Sequence, residues 1–294
     1  MPELPDVEAY RHALATRLRS QRLERTRILN PFVLRTAVPP ISEAAGKRVI
    51  DVQRLGKRLV LALEDEWFLV LHLMIAGRLR WLASGAKPPA RITLALFEFA
   101  NGTLAFTEAG AKRRASLHCV CGEAALAPFD AGGLEIFDAD LAAFIARLTS
   151  ENHTLKRALT DPRLIAGIGN AYSDEILHRA RLSPIALTAK LKPDEWARLF
   201  AGTRAVLAEW IERLRAQAQG GFPERVTAFR PEMAVHGRFG EPCPVCGAPV
   251  QRIVYAENEC NYCARCQTGG VILADRALSR LLHKSWPRSI DALE

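Results

Sequence analysis

The sequence predicts an α+β protein of two domains, an N-terminal β-sandwich with a leading helix and a C-terminal helical bundle that ends in a zinc-ribbon hairpin. Three observations predict it. Residues 22 to 117 alternate short apolar runs with turns; the period becomes helical after residue 133; and four cysteines stand in two C-x2-C pairs near the far end. At 294 residues and 49% hydrophobic content, the chain is long enough to bury two cores.

From Asp6 to Arg19, Val7, Tyr10, Leu14 and Leu18 recur with a helical period, which places an amphipathic helix directly behind the amino terminus. Strands are expected at Val49–Val52, Arg58–Leu63, Phe68–Leu73, Ile92–Phe99 and Thr103–Phe106, with Asn101-Gly102 as a hairpin signal. Several strands at this spacing suggest a sandwich or flattened barrel. Cys119 and Cys121 are spaced like residues on one strand face, where packing is the default. After a loop over Ala127–Gly133, helices are expected at Asp138–Leu148, Thr154–Leu159, Ala171–Arg179 and Pro193–Ala216. Gly167 and Gly169 permit a tight turn ahead of the third, where amides would face a phosphate. Beyond the last cysteine, Leu278, Leu281 and Leu282 within Asp275–Lys284 suggest a docking helix with Trp286 packed behind it. The domains are therefore drawn at 1–130, 134–230, 235–270 and a C-terminal helical extension at 271–294.

Cys243, Cys246, Cys263 and Cys266 have zinc-ribbon spacing, with 16 residues between the knuckles. Four thiolates close a tetrahedron with no open position, so the single Zn2+ would be structural. A disulfide framework is the alternative, and it is disfavoured in a chain without a signal peptide that reads as cytoplasmic. Cys260, Cys263 and Cys266 also begin an iron-sulfur pattern, but no fourth cysteine follows; Cys260 is read as a neighbour of the zinc site.

The 40 Lys plus Arg against 32 Asp plus Glu leave a net charge of +8, which favours a polyanionic partner. No apolar run is long enough for a membrane helix. The start, Met1-Pro2-Glu3, carries chemistry of its own. Removal of Met1 would make Pro2 a secondary amine, and an α-amino group titrates roughly two units below lysine, so a neutral fraction can attack a carbonyl-like carbon. Glu3 beside it would shuttle protons.

Set in order along the chain, these motifs resemble the formamidopyrimidine-DNA glycosylase and endonuclease VIII family of bifunctional base-excision repair enzymes. The resemblance covers residues 1 to about 268 and rests on Met1-Pro2-Glu3, Gly56-Lys57, His72-Leu73, the Gly167–Tyr172 turn, Gly237-Arg238 and Cys263–Gln267. It implies that the helical domain is a helix-two-turn-helix element, with a DNA cleft between the domains. It also implies an activity on oxidised bases in damaged double-stranded DNA, by a monomer. Pro2 would attack C1′ of a flipped nucleotide, Glu3 would protonate the sugar oxygen, and Lys57 would reach the sugar-phosphate or the base. Lys156 and Asn170 resemble the phosphate-holding residues of the helical domain.

Departures from the family pattern mark the DNA-contacting positions. Ile75 stands where the family has a stack-wedging methionine, with Met74 as the other candidate. Arg113 and Arg114 lead into Ala115, where the family has a phenylalanine plug; its loss should cost on the order of 1–3 kcal/mol of extrusion. Asn258 replaces the phosphate-gripping arginine of the hairpin, with Arg252 or Arg265 as compensating cations. Residues 216–225, with Gly220-Gly221, are expected to form the mobile loop that senses the base. Two other readings remain open. One is a binding protein for abasic or distorted DNA that has lost or narrowed base excision. The other is a zinc-ribbon module of the transcription or RNA-processing machinery.

Overall fold

In the computed structural model all residues are described except 111, 225, 228, 256, 257, 275–287 and 294. The chain divides into two compact units, Met1–Ala131 with Trp210–Thr227, and Gly132–Glu209 with Ala228–Glu294.

The first unit opens with α1 (Leu4–Leu18) and continues through β1 (Arg25–Ile28), β2 (Val49–Leu55), β3 (Arg58–Leu63), β4 (Trp67–His72), β5 (Gly77–Leu82), β6 (Thr93–Phe99), β7 (Gly102–Glu108) and β8 (Ser116–Cys121). The strands form two antiparallel four-stranded sheets, ordered β1-β6-β7-β5 and β2-β3-β4-β8. One core is built from Val7, Tyr10, Leu14 and Leu18 of α1, Leu59, Leu61, Leu69 and Leu71 of one sheet, and Leu79, Phe97, Leu104 and Phe106 of the other. Strands β3 and β4 read as continuous apolar runs because their second face is also covered: Val60, Ala62, Phe68 and Val70 form a smaller cluster under Leu126 and Phe129.

Two details differ from the sequence reading. The β6–β7 turn is one residue earlier than Asn101-Gly102, since Gly102 already pairs with Phe99 inside the ladder. Only glycine fits there: its φ is +148°, and a Cβ would lie 2.7 Å from the Trp81 ring. Cys119 packs in the core as expected, whereas Cys121 is exposed where β8 runs out.

In the second unit, α2 (Leu141–Thr149), α3 (Leu155–Thr160), α4 (Asn170–Ala180) and the start of α5 (Pro193–Ala218) are followed by a hairpin of β9 (Gln251–Val254) and β10 (Glu259–Tyr262) and by the short α6 (Ala264–Thr268). Asp140 and Thr154 cap α2 and α3 by accepting from the backbone N–H of Ala143 and Arg157. The docking helix expected at Asp275–Lys284 lies outside the described residues.

Candidate active site and metal centre

The amino terminus enters the fold through the cap of α1. Glu3 is the N-cap, and its N–H donates to Asp6 Oδ2 at 3.0 Å. Pro5 sits in the first turn, where a missing N–H costs nothing. Pro2 is buried, and Glu3 is 3% exposed. Burial pulls the terminal amine below its usual pKa of 8.0; Glu3 and Asp6 oppose that shift, while Arg78 and Lys57 add to it. Met1 still carries the amine, and its removal would hand that role to Pro2, one Cα step of about 3.8 Å along the chain.

Lys57 follows Gly56, whose φ of +58° makes the β2–β3 turn. The tip is tied to α1 by Arg54, which donates from Nη1 to the Gly56 carbonyl at 3.0 Å and pairs with Glu8 at 2.8 Å. Burial also lowers the Lys57 pKa, with Glu3 opposing. The structure thus brings Pro2, Glu3 and Lys57 into one electrostatic neighbourhood. Sequence reasoning missed Arg78, which belongs to it; the signal was the alternation Gly77-Arg-Leu-Arg-Trp-Leu82, which is strand β5. His72 closes the strand behind Lys57, and its pKa falls to about 4 through burial, then through Arg58, Lys57 and His118. It is therefore neutral at neutral pH.

The turn after β4 carries both wedge candidates. Gly77 N–H donates to the Leu73 carbonyl at 2.8 Å, and a Cβ at Gly77 would lie 2.2 Å from that oxygen. The tight closure holds Met74 at φ +53°, half-buried, and leaves Ile75 58% exposed. Arg113 and Arg114 are exposed, and Arg113 donates to the Arg91 carbonyl at 2.9 Å. Ala115 is interior, 3% exposed within the main core. The buried Glu108 carboxylate accepts the N–H of Arg114 at 3.0 Å and of Ala115 at 3.2 Å.

The segment after α5 is fastened to the first unit by an aromatic clasp. Phe222 lies 5.6 Å from the Tyr10 ring and 6.5 Å from Trp81, and the Arg17 guanidinium sits 5.6 Å over the Phe222 ring. Arg17 also donates to the Gly220 carbonyl at 3.3 Å.

In the second unit, Lys156 and Asn170 come together. Lys156 Nζ donates to the Asn170 carbonyl at 2.7 Å and pairs with Asp174 at 2.5 Å. Asp174 is fully buried, and its other oxygen meets His236 Nδ1 at 2.8 Å. Asn170 Nδ2 donates to the Glu259 carbonyl at 2.8 Å, joining α4 to β10. Sequence reasoning missed Asp174, although an acid one helical turn after Asn170 is the available signal. Asn258 is exposed at the β9–β10 turn, and its carbonyl accepts from Tyr255 N–H at 2.7 Å.

The Cys243, Cys246, Cys263 and Cys266 sulfurs all lie within 4.8 Å of one another, with Cys243–Cys266 at 3.9 Å and Cys246–Cys263 at 3.4 Å. A tetrahedral site with bonds of about 2.3 Å needs sulfurs about 3.8 Å apart, so the four residues fit one structural zinc ion. His178 Nε2 lies 3.3 Å from Cys243 Sγ, and burial lowers its pKa to about 4, so a neutral imidazole stands beside that sulfur. Cys260 faces elsewhere. It is fully buried, its thiol is pushed up by burial, and it hydrogen-bonds with Asp174.

Family models match three consecutive stretches: the formamidopyrimidine-DNA glycosylase N-terminal domain over residues 1–114, the formamidopyrimidine-DNA glycosylase H2TH domain over 134–219, and a zinc finger found in FPG and IleRS over 240–269. The chain is 33% identical to a formamidopyrimidine-DNA glycosylase of Pelotomaculum thermopropionicum, over 91% of this chain and 99% of the relative. The Thermus thermophilus formamidopyrimidine-DNA glycosylase is also 33% identical, over 92% of this chain and 100% of its own. A Lactococcus lactis Fpg in complex with abasic-site DNA superposes with a TM-score of 0.80 at 27% identity, covering 90% of this chain and 99% of that one. Such a succession of modules defines a zinc-finger DNA glycosylase. The chain belongs to the formamidopyrimidine-DNA glycosylase family. Among the described residues, no helix is long and apolar enough to cross a membrane.

Proposed function

We propose that the chain is a bifunctional DNA glycosylase and abasic-site lyase that removes oxidised bases from duplex DNA through a Schiff base at Pro2. The observation that carries this reading is the burial of Pro2 and Glu3 at the cap of α1, at a terminus where burial, then Arg78 and Lys57, lower the pKa of the Met1 amine against the opposing pull of Glu3. A depressed pKa enlarges the neutral, nucleophilic fraction at neutral pH. The Pro2 nitrogen attacks C1′, the base departs with the glycosidic electron pair and takes up a proton, and the sugar opens to an iminium. That cation acidifies the C2′ proton. Its removal breaks the C3′–O bond, and a second elimination breaks the C5′–O bond. Glu3 is the proton carrier, and Lys57 contacts the sugar-phosphate. Ile75, the more exposed of the two wedge candidates, would enter the base stack, while Arg113, Arg114, Lys156, Asn170 and Asn258 line the DNA.

Borohydride trapping on an abasic duplex tests the reading. The mature protein is expected to form a covalent adduct at Pro2, and a chain whose first residue is blocked by an uncleaved extension is expected to form none. Trapping that survives the block would overturn the assignment.

The interior position of Ala115 favours one alternative, an abasic or distorted-DNA binding protein with lost or narrowed base excision. It predicts tight binding to abasic duplex without release of any base from a panel of single-lesion duplexes.

A further inference from the structure

The face of β2-β3-β4-β8 that carries the smaller apolar cluster ends in a group of basic side chains. Arg58 stands directly across from His72 in the β3–β4 ladder, and His118 stands across from Val70, two residues before His72. Directly opposed residues share a face, as do residues two apart, so Arg58, His72 and His118 project on the same side. Phe129 joins two of them. Arg58 Nη1 donates to its carbonyl at 3.0 Å, and the His118 ring packs edge-on against its ring at 4.7 Å.

Elsewhere in this unit the half-buried Arg54 is paired with Glu8 at 2.8 Å and Lys47 with Asp65 at 2.6 Å. Among the described residues no carboxylate pairs with Arg58, His72 or His118, and the buried His118 Nδ1 has no hydrogen-bond partner. Burial lowers the pKa of Arg58, of His72 and of His118; after burial, the neighbours that lower the two histidines are all basic, Arg35 and Arg58 acting on His118. Holding the Arg58 guanidinium half-buried beside two imidazoles, with no carboxylate counter-ion, is unfavourable, and a bound anion would relieve it.

We propose that Arg58 and His118 form a phosphate-binding site, occupied by a backbone phosphodiester of the DNA strand that Lys57 serves. The guanidinium offers a fork that matches phosphate oxygens, and the imidazole offers one N–H. Lys57 precedes Arg58 at the β2–β3 turn, so the two cations would meet neighbouring points of one strand. The inference rests on the proposed DNA-processing activity.

Two measurements on the full zinc-loaded protein test it. The first is the salt dependence of binding to a duplex containing a non-cleavable abasic analogue. Arg58→Gln is expected to reduce the slope of log K against log salt by about 0.9, the loss of one phosphate contact, and Arg58→Lys is expected to restore most of it. The second is the His118 ring proton signal in NMR, which is expected to move on adding that duplex in wild type and much less in Arg58→Gln. A slope unchanged by Arg58→Gln, in a protein that still binds the duplex, would overturn the site. Failure of wild type to bind the duplex would instead overturn the proposed function. A His118 signal that responds to inorganic phosphate but not to DNA would assign a free phosphate and overturn the backbone assignment.

Discussion

Acidification should destabilise the first unit through His72, and the size of the effect follows from its surroundings. Burial beside Arg58 holds the folded-state pKa at about 4, against 6.5 for the free imidazole. The unfolded chain therefore takes up the proton first as pH falls. Stability is intact above about pH 6.5 and is lost as pH drops from there toward 4. Between pH 7 and pH 5, single-site linkage between folded and unfolded states with those pKa values gives a loss of about 2 kcal/mol, because at pH 5 nearly every unfolded and few folded molecules are protonated. His72→Gln keeps a polar side chain of similar length that does not titrate. Urea unfolding of both proteins in phosphate-free buffer at pH 7 and pH 5 isolates the term. Wild type should lose about 2 kcal/mol more than the variant over that interval. An indistinguishable loss in the two proteins would show that His72 is not held neutral by this pocket.

Three further outcomes follow from the same geometry. Cys260→Ser should retain one zinc per chain in a metal assay, since Cys260 faces Asp174, whereas Cys263→Ser should lose it. Ala115→Phe, the substitution that would restore the family's aromatic plug, should destabilise the protein by about 1–3 kcal/mol in thermal unfolding without improving base release, because the site is core. Phe222→Ala removes two aromatic contacts and a cation–π contact, together about 1.5–3 kcal/mol. Amide exchange in residues 219–224 should accelerate at least tenfold, while the strands of the first unit stay protected.

Much of the site was legible because local patterns encode it. The C-x2-C pairs fix two sulfurs each on single turns, and closure of the tetrahedron needs only that the β9–β10 hairpin bring the turns together. Helix positions were legible through their apolar period, while the caps were not read: α2 starts at Leu141 rather than Asp138, where the Asp140 side chain satisfies an amide that any helix leaves open, as Thr154 does for α3. Strand β5 was not, because its arginines interrupt the apolar run and only pairing with β7 makes it a strand. Asp174 was equally hidden. A carboxylate in a helical run reads as solvated, and only the convergence of α3, α4 and the segment around His236 buries it against Lys156.

The amino-acid sequence by itself determined the family and the four zinc cysteines and marked Pro2 as the candidate nucleophile, since each depends on residue type and spacing along the chain. Tertiary structure alone decided which charges act on the terminal amine. Glu3, Lys57 and Arg78 come from a helix cap, a hairpin tip and a separate strand, and the field they create at the terminal amine depends on distances and burial that exist only once the sheets have closed. The fate of Ala115 was settled in the same way: sequence position aligned it with a surface plug, and the packing of β8 against the core turned it inward.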